Sequence, residues 1–330
     1  MKKCIVTGGA GFIGSNLTEK LVSLGHKVTV IDNLSTGRKS NLKKIQNRIK
    51  FVKADISNLK NLSDNFFKNV DWVFHIAGIA DIVPSIETPI KYYNSNVTGT
   101  LNILEKSRKH KVKKLIYAAS ASCYGIPSNF PTNENSKIKP EYPYALSKYL
   151  GEQLVMHWAK IYNMPNISLR FFNVYGPKSR TTGAYGAMFG VFLAQKLNNK
   201  PLTIVGNGKQ TRDFIHVYDL VEAIIKSAQK SKTNRIFNVA SGSETSVNKI
   251  ASIIGGKTIK IPKRPGEPDR SQADIKNIKK EIKWKPKINI DKGVNLMLKI
   301  ISDWNDAPVW TPKKIKKATK IWFERLSRKK

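Results

Sequence analysis

Tyr144 and Lys148 have the spacing of a catalytic pair, because they lie four positions apart in a segment with helical patterning, Tyr144 to Asn163. At that spacing both side chains project from one helix face, about one turn apart. A tyrosine normally titrates at about pH 10, but a close lysine cation favours the phenolate. We therefore expect the Tyr144 phenol to serve as a base near neutral pH.

A serine upstream strengthens this prediction, since a tyrosine and a lysine at this spacing are common by chance. Ser120 directly follows the predicted strand Lys114 to Ala119 and opens the run Ser120-Ala121-Ser122-Cys123-Tyr124-Gly125. Ligands of parallel sheets bind at the carboxyl ends of the strands, where this hydroxyl would lie. Ser120, Tyr144 and Lys148 are therefore the candidate catalytic residues.

A glycine-rich turn near the N-terminus is typical of a dinucleotide site. Gly8, Gly11 and Gly14 fall between a predicted strand, Lys3 to Thr7, and a predicted helix that follows from Phe12. Glycine lets the backbone approach a pyrophosphate, and the amides at a helix N-terminus favour its negative charge. The strand, turn and helix context favours a dinucleotide site over a merely tight turn.

The second predicted strand, Lys27 to Ile31, leads into Asp32. A carboxylate there can accept hydrogen bonds from the adenosine ribose hydroxyls and repel a 2′-phosphate, which favours NAD over NADP. Two alternatives stay open: Asp32 could simply turn the chain, and the nearby Arg38 and Lys39 leave room for NADP. A positive nicotinamide ring would further favour the Tyr144 phenolate.

Strands and helices alternate along the first part of the chain, which predicts an α/β protein with a doubly wound parallel sheet. Beyond about Gly176 the alternation weakens, and glycine and proline become frequent. We therefore expect a Rossmann domain over residues 1–176 and a smaller lobe, mainly for substrate, over 177–330. The further predicted strands are Ile49 to Lys53, Trp72 to Ile76 and Ile167 to Phe171, and the further predicted helices are Asn58 to Phe67 and Ile90 to Arg108.

Taken in order, these motifs resemble the extended short-chain dehydrogenase/reductases, and in particular the UDP-glucose 4-epimerase group of the NAD-dependent epimerase/dehydratase family. The resemblance covers nearly the whole chain, and many ordered motifs are more specific than any one of them. Besides the glycine turn and the Tyr-Lys pair, the similar stretches are Asp32-Asn33-Leu34, Ala54-Asp55-Ile56, His75-Ile76-Ala77-Gly78, Asn96-Val97-Thr98-Gly99-Thr100, Ser120 to Gly125, Arg170 to Pro177, Thr211-Arg212-Asp213-Phe214 and Arg264-Pro265-Gly266-Glu267.

The resemblance implies roles for the matching residues. NAD is the implied cofactor, and the residues implied to bind it are Gly8, Gly11, Phe12, Ile13, Gly14, Asp32, Asn33, Asp55, Ile56, Ala77, Asn96, Tyr144 and Lys148. The residues implied to bind the substrate are Ser120, Ser122, Tyr144, Asn173, Arg212, Arg264, Glu267 and Ser271. Asn173 would meet the diphosphate, and arginine suits the nucleotide end because its planar fork binds phosphate bidentately.

The implied reaction inverts C4 of a UDP-hexose. Tyr144 would take the proton of the C4 hydroxyl while NAD+ accepts the C4 hydride, and the 4-keto sugar would turn over before both are returned. Ser120 would orient the reacting oxygen. Ser271 falls where relatives restricted to unsubstituted hexoses tend to carry something bulky, so we expect N-acetylhexosamine forms to be accepted as well.

Other activities share much of this motif set. A sugar-nucleotide 4,6-dehydratase is disfavoured, because family dehydratases carry Asp-Glu where this chain has Ala121-Ser122. A UDP-uronate 4-epimerase or decarboxylase stays open, because these enzymes differ mainly in their contacts to C6. A catalytically silent NAD-binding scaffold is the alternative outside enzymes, and the intact Ser120, Tyr144 and Lys148 set argues against it.

Composition argues against several other classes. The 330 residues carry a formal charge of +35, but the lysines are spread along the whole length without an aromatic-interleaved stripe, which disfavours nucleic-acid binding. Two cysteines and five isolated histidines indicate neither disulfides nor a metal site. With no signal-peptide or membrane-spanning pattern, we expect a cytoplasmic protein, and the resemblance implies a homodimer. The basic tail from Lys313 is expected to dock onto the body, with an anionic membrane surface as the alternative.

Overall fold

The computed structural model describes residues 1–179 and 188–327. Seven strands form the main sheet, in the order β10-β6-β5-β4-β1-β2-β3, and all neighbouring pairs are parallel. Two smaller sheets have the orders β11-β9-β7 and β12-β8. The strands are β1 (Lys3–Thr7), β2 (Lys27–Asp32), β3 (Ile49–Lys53), β4 (Trp72–His75), β5 (Lys114–Ser120), β6 (Asn166–Phe171), β7 (Asn173–Tyr175), β8 (Leu202–Val205), β9 (Thr211–His216), β10 (Arg235–Val239), β11 (Glu244–Ser246) and β12 (Thr258–Ile261).

Helices cover both faces of the main sheet and build the second lobe. They are α1 (Phe12–Ser23), α2 (Asp64–Phe67), α3 (Ile82–Glu87), α4 (Pro89–Tyr93), α5 (Gly99–Lys109), α6 (Pro143–Tyr162), α7 (Met188–Leu197), α8 (Val217–Lys230), α9 (Val247–Ile254), α10 (Lys276–Ile282), α11 (Ile290–Lys299), α12 (Pro312–Ala318) and α13 (Lys320–Leu326). Short 3₁₀ segments cover Lys39–Arg48, Leu59–Asn61, Ala121–Tyr124 and Ile301–Trp304.

The predicted doubly wound parallel sheet is confirmed. Its strands are apolar on both sides because helices cover both faces. Along β1, Cys4 and Val6 face one layer of the core while Ile5 faces the other. The predicted strands agree with the observed ones to within one residue at each end, and the carboxyl ends of β1, β2, β4 and β5 meet at one edge. The candidate site lies at this edge.

Two predicted helices differ from the structure. The helix expected over Asn58 to Phe67 is instead a 3₁₀ turn followed by the short α2, because the Asn58 and Ser63 side chains each accept a backbone N–H two residues on and start separate turns. The helix expected over Ile90 to Arg108 is interrupted by a π-helical turn at Asn94–Thr98 between α4 and α5. That turn carries Asn96 and widens the helix beside the site.

The boundary at residues 176 and 177 stays a prediction, but the sheet crosses it. The seventh strand, β10, comes from beyond Gly176 and pairs with β6. A separate apolar cluster, which includes Phe192, Ile250 and Trp304, forms the core of the second lobe. The chain therefore returns to the first domain after it has begun the second lobe.

The C-terminal tail docks onto the body, as the sequence suggests. Ile315 and Trp322 are buried, while the neighbouring lysines Lys313, Lys314, Lys316, Lys317 and Lys320 are exposed. Over residues 1–179 and 188–327, no helix combines the length and apolar composition needed to cross a bilayer.

Candidate active site

Three hydroxyl groups meet where β5 ends and α6 begins. The Tyr144 phenol donates a hydrogen bond to the Ser120 Oγ at 3.2 Å, and the Ser120 and Ser122 Oγ atoms lie 2.8 Å apart. Ser120 is the last residue of β5, and the 3₁₀ turn after it brings Ser122 back beside it. Pro143 occupies the first turn of α6, so the Tyr144 side chain is presented at the start of a well-defined helix.

Lys148 lies one turn along α6 from Tyr144 and is buried, with 6% of its surface exposed. Its Nζ lies 4.3 Å from the centre of the Tyr117 ring, and no residue in the described part of the chain accepts a hydrogen bond from it. Burial lowers the pKa of Lys148 to about 7, and Glu152 opposes this effect. Lys148 is thus a buried donor beside the site whose hydrogen bonds are available to a ligand.

The pKa of Tyr144 differs from the sequence-based expectation. Burial raises the pKa of this phenol above its ordinary value, and its hydrogen bonds with Ser120 and Ser122 only partly oppose the effect. Burial also lowers the pKa of Lys148, which weakens the cation expected to favour the phenolate. In the polypeptide alone, burial thus favours the protonated phenol.

Tyr142 lies beside the catalytic residues, and no sequence motif indicated it. Its ring stacks on that of Tyr144, with centroids 6.3 Å apart and planes 11° apart. Burial raises the pKa of Tyr142, and the charges of Tyr144, Glu267 and Arg212 also act on it. Tyr142 therefore lies close enough to both the catalytic residues and the candidate nucleotide-binding residues for their charges to act on it.

The glycine turn between β1 and α1 leaves no space for side chains. A Cβ on Gly14 would collide with the Gly8 carbonyl oxygen, and a Cβ on Gly8 would lie 2.7 Å from the Ala77 Cα. Gly11 is the N-cap of α1, and no side chain caps this helix. The backbone N–H groups of the first turn, which include those of Phe12 and Ile13, can therefore donate hydrogen bonds to a phosphate group. The turn thus fits the pyrophosphate of a dinucleotide.

Asp32 lies against the same turn. Its carboxylate is buried and accepts hydrogen bonds from the Ala10 N–H at 2.9 Å and the Leu34 N–H at 2.8 Å. Burial raises the pKa of Asp32, and these two backbone donors oppose the effect. Asp32 therefore turns the chain, which was one of the alternatives from the sequence. Each of its carboxylate oxygens still has a lone pair that can accept a hydrogen bond from a ribose hydroxyl.

The residues implied to meet the adenine end also come together. The Asn33 amide donates to the Asp55 carboxylate at 3.0 Å, although they are 22 positions apart in the chain. The backbone carbonyl of Ile56 accepts a hydrogen bond from Asn102 at 2.8 Å, which holds this segment against α5. Asp55 is also bonded to Ser57, so its orientation is fixed.

Asn96 supports the site through other protein groups. Its amide oxygen accepts the Ile79 N–H at 2.9 Å, and its amide nitrogen donates to the Ile79 carbonyl and the Ser147 hydroxyl, both at 3.0 Å. Gly78 passes directly between Asn96 and Lys148, since a Cβ there would lie 2.9 Å from the Asn96 oxygen and 3.4 Å from the Lys148 Nζ. The structure thus gives Asn96 a scaffolding position.

The second lobe supplies a basic cleft on the other side. Arg212 on β9 forms an ion pair with Glu267 at 3.1 Å, and Arg264 lies 3.8 Å from the same carboxylate. Asn173 begins β7 beside β9 and donates to the Asp213 carbonyl at 3.3 Å. The cleft has a volume of about 320 Å³ and is lined by Val205, Gly206, Asn207, Lys209, Gln210, Arg212, Lys263, Glu267, Pro268 and Asp269.

Ser271 lies on the segment that leads away from this cleft. It is partly exposed, and its neighbour Arg270 is held by Glu244 at 2.8 Å and lies over the Phe130 ring. Asp213 anchors the next residues, because its buried carboxylate accepts the N–H groups of Gly242 and Ala273. Sequence analysis missed this anchoring, since Ala273 is 60 positions away from Asp213.

Comparison with known proteins places the chain in a family. The model of the NAD dependent epimerase/dehydratase family matches residues 4–240. This chain belongs to that family. A Methanocaldococcus jannaschii protein, provisionally named UDP-glucose 4-epimerase, is 38% identical over 298 residues, which cover 88% of this chain and 95% of that protein.

Solved structures agree with this assignment. The Thermotoga maritima UDP-glucose 4-epimerase with UDP-glucose has a TM-score of 0.86 and 31% identity, covering 91% of this chain and 99% of that chain. The Bacillus cereus UDP-glucuronic acid 4-epimerase, in complex with UDP-glucuronic acid and NAD, has a TM-score of 0.83 and 28% identity, with the same coverage. NAD is the cofactor of this chain, and its relatives include UDP-sugar 4-epimerases and a Bacillus cytotoxicus UDP-N-acetyl-alpha-D-glucosaminuronate decarboxylase, 31% identical over 310 residues.

Proposed function

We propose that the chain inverts C4 of a UDP-hexose through a 4-keto intermediate. The observation that carries this proposal is the position of the Tyr144 phenol, which bonds Ser120, lies one helical turn from Lys148, and stacks on Tyr142. The proposed reaction needs a proton acceptor for the C4 hydroxyl, and the Tyr144 phenol is in a position to serve as one. The sites assigned below to cofactor and substrate are part of the proposal.

The glycine turn, Asp32 and Lys148 would hold NAD, which when bound would accept the C4 hydride and afterwards return it. Positive charge on the bound cofactor would favour the Tyr144 phenolate against the effect of burial. Tyr144 takes the proton of the C4 hydroxyl, and Ser120, held by Ser122, bonds the reacting oxygen. The buried Lys148 would bind a ribose hydroxyl of the cofactor, since no protein group in the described residues accepts its hydrogen bonds.

The second half of the reaction requires the hexose to turn while the nucleotide stays in place. Arg212 and Arg264 both lie beside the Glu267 carboxylate and would hold the diphosphate and nucleotide, together with Asn173. Lys209, Arg212 and Lys263 line the cleft at this end, beside Glu267 and Asp269. At the proposed reacting oxygen, by contrast, the hydroxyl groups of Ser120, Ser122 and Tyr144 meet. Tight binding of the nucleotide and weak binding of the sugar permit the 4-keto sugar to turn. The hydride would then return to the opposite face of C4, while Tyr144 returns the proton to the oxygen.

We extend the proposal to N-acetylhexosamine substrates because position 271 is a serine. Its side chain is short, and its neighbours are held in place: Glu244 binds the Arg270 side chain, and Asp213 accepts the Ala273 N–H. In this chain Ala121 and Ser122 follow the catalytic Ser120. The chain therefore provides no carboxylate at these positions for the elimination of water across C5 and C6. The proposal therefore excludes 4,6-dehydration as the main reaction.

We also infer that the enzyme works in the cytoplasm as a homodimer. Cys4 and Cys123 are buried and unpaired, which fits a reducing compartment. Ile90 on α4 and Ile161 and Tyr162 on α6 are 75%, 53% and 46% exposed, which supports contact between copies through these helices. Sedimentation velocity at micromolar concentration checks the dimer, and a monomer would contradict it.

The reaction is tested by incubating the purified chain with UDP-glucose, UDP-N-acetylglucosamine and UDP-glucuronic acid in separate reactions. Chromatography of each mixture reveals the 4-epimer, a decarboxylated product or a 4-keto-6-deoxy product. We expect epimers from the first two substrates. Bound NAD without turnover of any of these sugars would contradict the proposal and favour a scaffold.

A further inference from the structure

The C-terminal tail, residues 312–327, contacts the loop that carries two of the nucleotide-binding residues. The indole N–H of Trp322 donates to the Pro265 carbonyl at 2.7 Å, and the guanidinium of Arg264 lies 5.4 Å from the centre of the indole ring. Leu326, one helical turn further along α13, lies beside Gly266. Each residue of the loop from Arg264 to Gly266 therefore touches the tail.

The loop has no helix or strand of its own to fix its position. Residues 262–268 lie between β12 and an irregular segment, and Gly266 adopts a positive φ of 70°. Glu267, the next residue, forms the ion pair with Arg212 and lines the basic cleft. The position of the Glu267 carboxylate, and of Arg264 beside it, thus depends on contacts from outside the loop.

The tail also touches the opposite side of the cleft. α13 packs against α3, which packs in turn against the catalytic helix α6. Asp81 is the N-cap of α3, and its charge acts on the Tyr144 phenol. The tail therefore bridges the first domain and the nucleotide-binding loop of the second lobe.

The tail is built to stay in this position. Ile315 and Trp322 are 3% and 5% exposed, and the Thr319 hydroxyl between them bonds back to the Ile315 carbonyl at 2.8 Å. Just before the tail, the Trp310 carbonyl accepts a hydrogen bond from Gln195 at 2.7 Å, which fixes the start of the segment on the second lobe. The tail lies outside residues 4–240, the part matched by the family model.

We propose that Trp322 is a positioning residue for the nucleotide end of the substrate, acting through its hydrogen bond to Pro265 and its ring beneath Arg264. This inference rests on the proposed function, since it assumes that Arg264 and Glu267 hold a uridine nucleotide. Trp322 touches neither the sugar nor the cofactor in this account. Its loss should therefore weaken nucleotide binding and leave the chemical steps nearly unchanged.

The test compares Trp322→Ala, Trp322→Phe and the wild type. UDP affinity is measured by calorimetry, and KM and kcat are measured with UDP-glucose. For Trp322→Ala we expect the UDP Kd and KM to rise about tenfold and kcat to change by less than about twofold, because one hydrogen bond and one cation–π contact are lost. Trp322→Phe keeps a ring for Arg264, so its Kd should rise only about threefold.

Lys317→Ala is the matched control, because Lys317 is an exposed residue of the same tail, and its Kd and KM should equal those of the wild type. Wild-type values of Kd and KM in Trp322→Ala would overturn the proposal. A parallel loss of kcat and of bound NAD would also overturn it, because it would indicate that the whole protein is destabilised. If Trp322→Ala does not fold, the Trp322→Phe values decide by the same criteria. UDP binding can be measured without turnover. A chain that binds UDP but does not epimerise sugars would therefore contradict the proposed function and not the proposal for Trp322. The comparison of UDP Kd values would still test the role of the tail.

Discussion

Lys148 makes the stability of the site dependent on pH. Burial lowers the pKa of Lys148 from 10.5 to about 7, so between these values the unfolded chain binds a proton that the folded chain does not. Folding stability from this residue therefore rises with pH through that window, and below about pH 7 the full penalty of a buried charge is present. A lysine is retained there because, in our proposal, its ammonium is needed for the cofactor.

We predict that Lys148→Met removes this pH dependence. In cofactor-free protein, the wild-type free energy of unfolding should rise relative to the variant's by up to about 1.4 kcal/mol per pH unit between about pH 7 and 10. Urea denaturation at a series of pH values measures both. A constant difference between the two proteins across that range would contradict the assigned burial of the ammonium.

In our proposal, the substrate range depends on Ser271. We predict that Ser271→Tyr lowers kcat/KM for UDP-N-acetylglucosamine by more than about a hundredfold, because a phenol fills the space for the N-acetyl group, and leaves UDP-glucose within about threefold. Ser271→Ala should keep both activities. Equal loss of both activities in the tyrosine variant would contradict the hypothesis.

At the residue scale, the sequence predicted that Ser120, Tyr144 and Lys148 lie together better than it predicted their electrostatics. The spacing of Tyr144 and Lys148 sufficed to place both on one helix face. Their pKa values could not be predicted, because burial depends on residues such as Tyr117 and Tyr142 that pack from other positions. The bond from Trp322 to Pro265, across 57 positions, left no local signal either.

The turn between β1 and α1 is the element that the cofactor site depends on. We predict that Gly14→Ala abolishes NAD retention and destabilises the fold by a few kcal/mol, about 2 to 4, because the added methyl group collides with the Gly8 carbonyl. The NAD released on denaturation measures retention, and thermal unfolding measures stability. Ser23→Ala at the exposed end of α1 is the control and should keep its NAD.

Elements were predictable where one pattern dominated. The strands are continuous apolar runs that end in turns, so their bounds follow from the sequence. Two helices were less predictable. The segment from residue 58 to 67 forms short turns because Asn58 and Ser63 cap them. The helix from residue 90 to 108 contains a π-helical turn at Asn94–Thr98, where Asn96 bonds to the backbone of Ile79. Both exceptions arise from polar side chains that bond to the backbone.

At the scale of the whole molecule, the formal charge of +35 should act on the substrate before it binds. A diffuse positive field attracts a UDP-sugar, and salt screens it. We predict that kcat/KM falls about three- to tenfold as NaCl rises from about 0.02 to 0.5 M, while kcat stays constant. Steady-state kinetics at several salt concentrations measure this. A salt-independent kcat/KM would show that the charge serves another purpose.

The central claim is that the Tyr144 phenol moves the proton of the sugar hydroxyl. The most direct test is the epimerisation rate of Tyr144→Phe on UDP-glucose, beside Tyr149→Phe, which changes a partly buried tyrosine of the same helix. We predict that the first variant keeps its NAD and loses about a thousandfold in kcat, while the second stays near the wild-type rate. A Tyr144→Phe variant that retains more than about a tenth of the wild-type kcat would contradict the account.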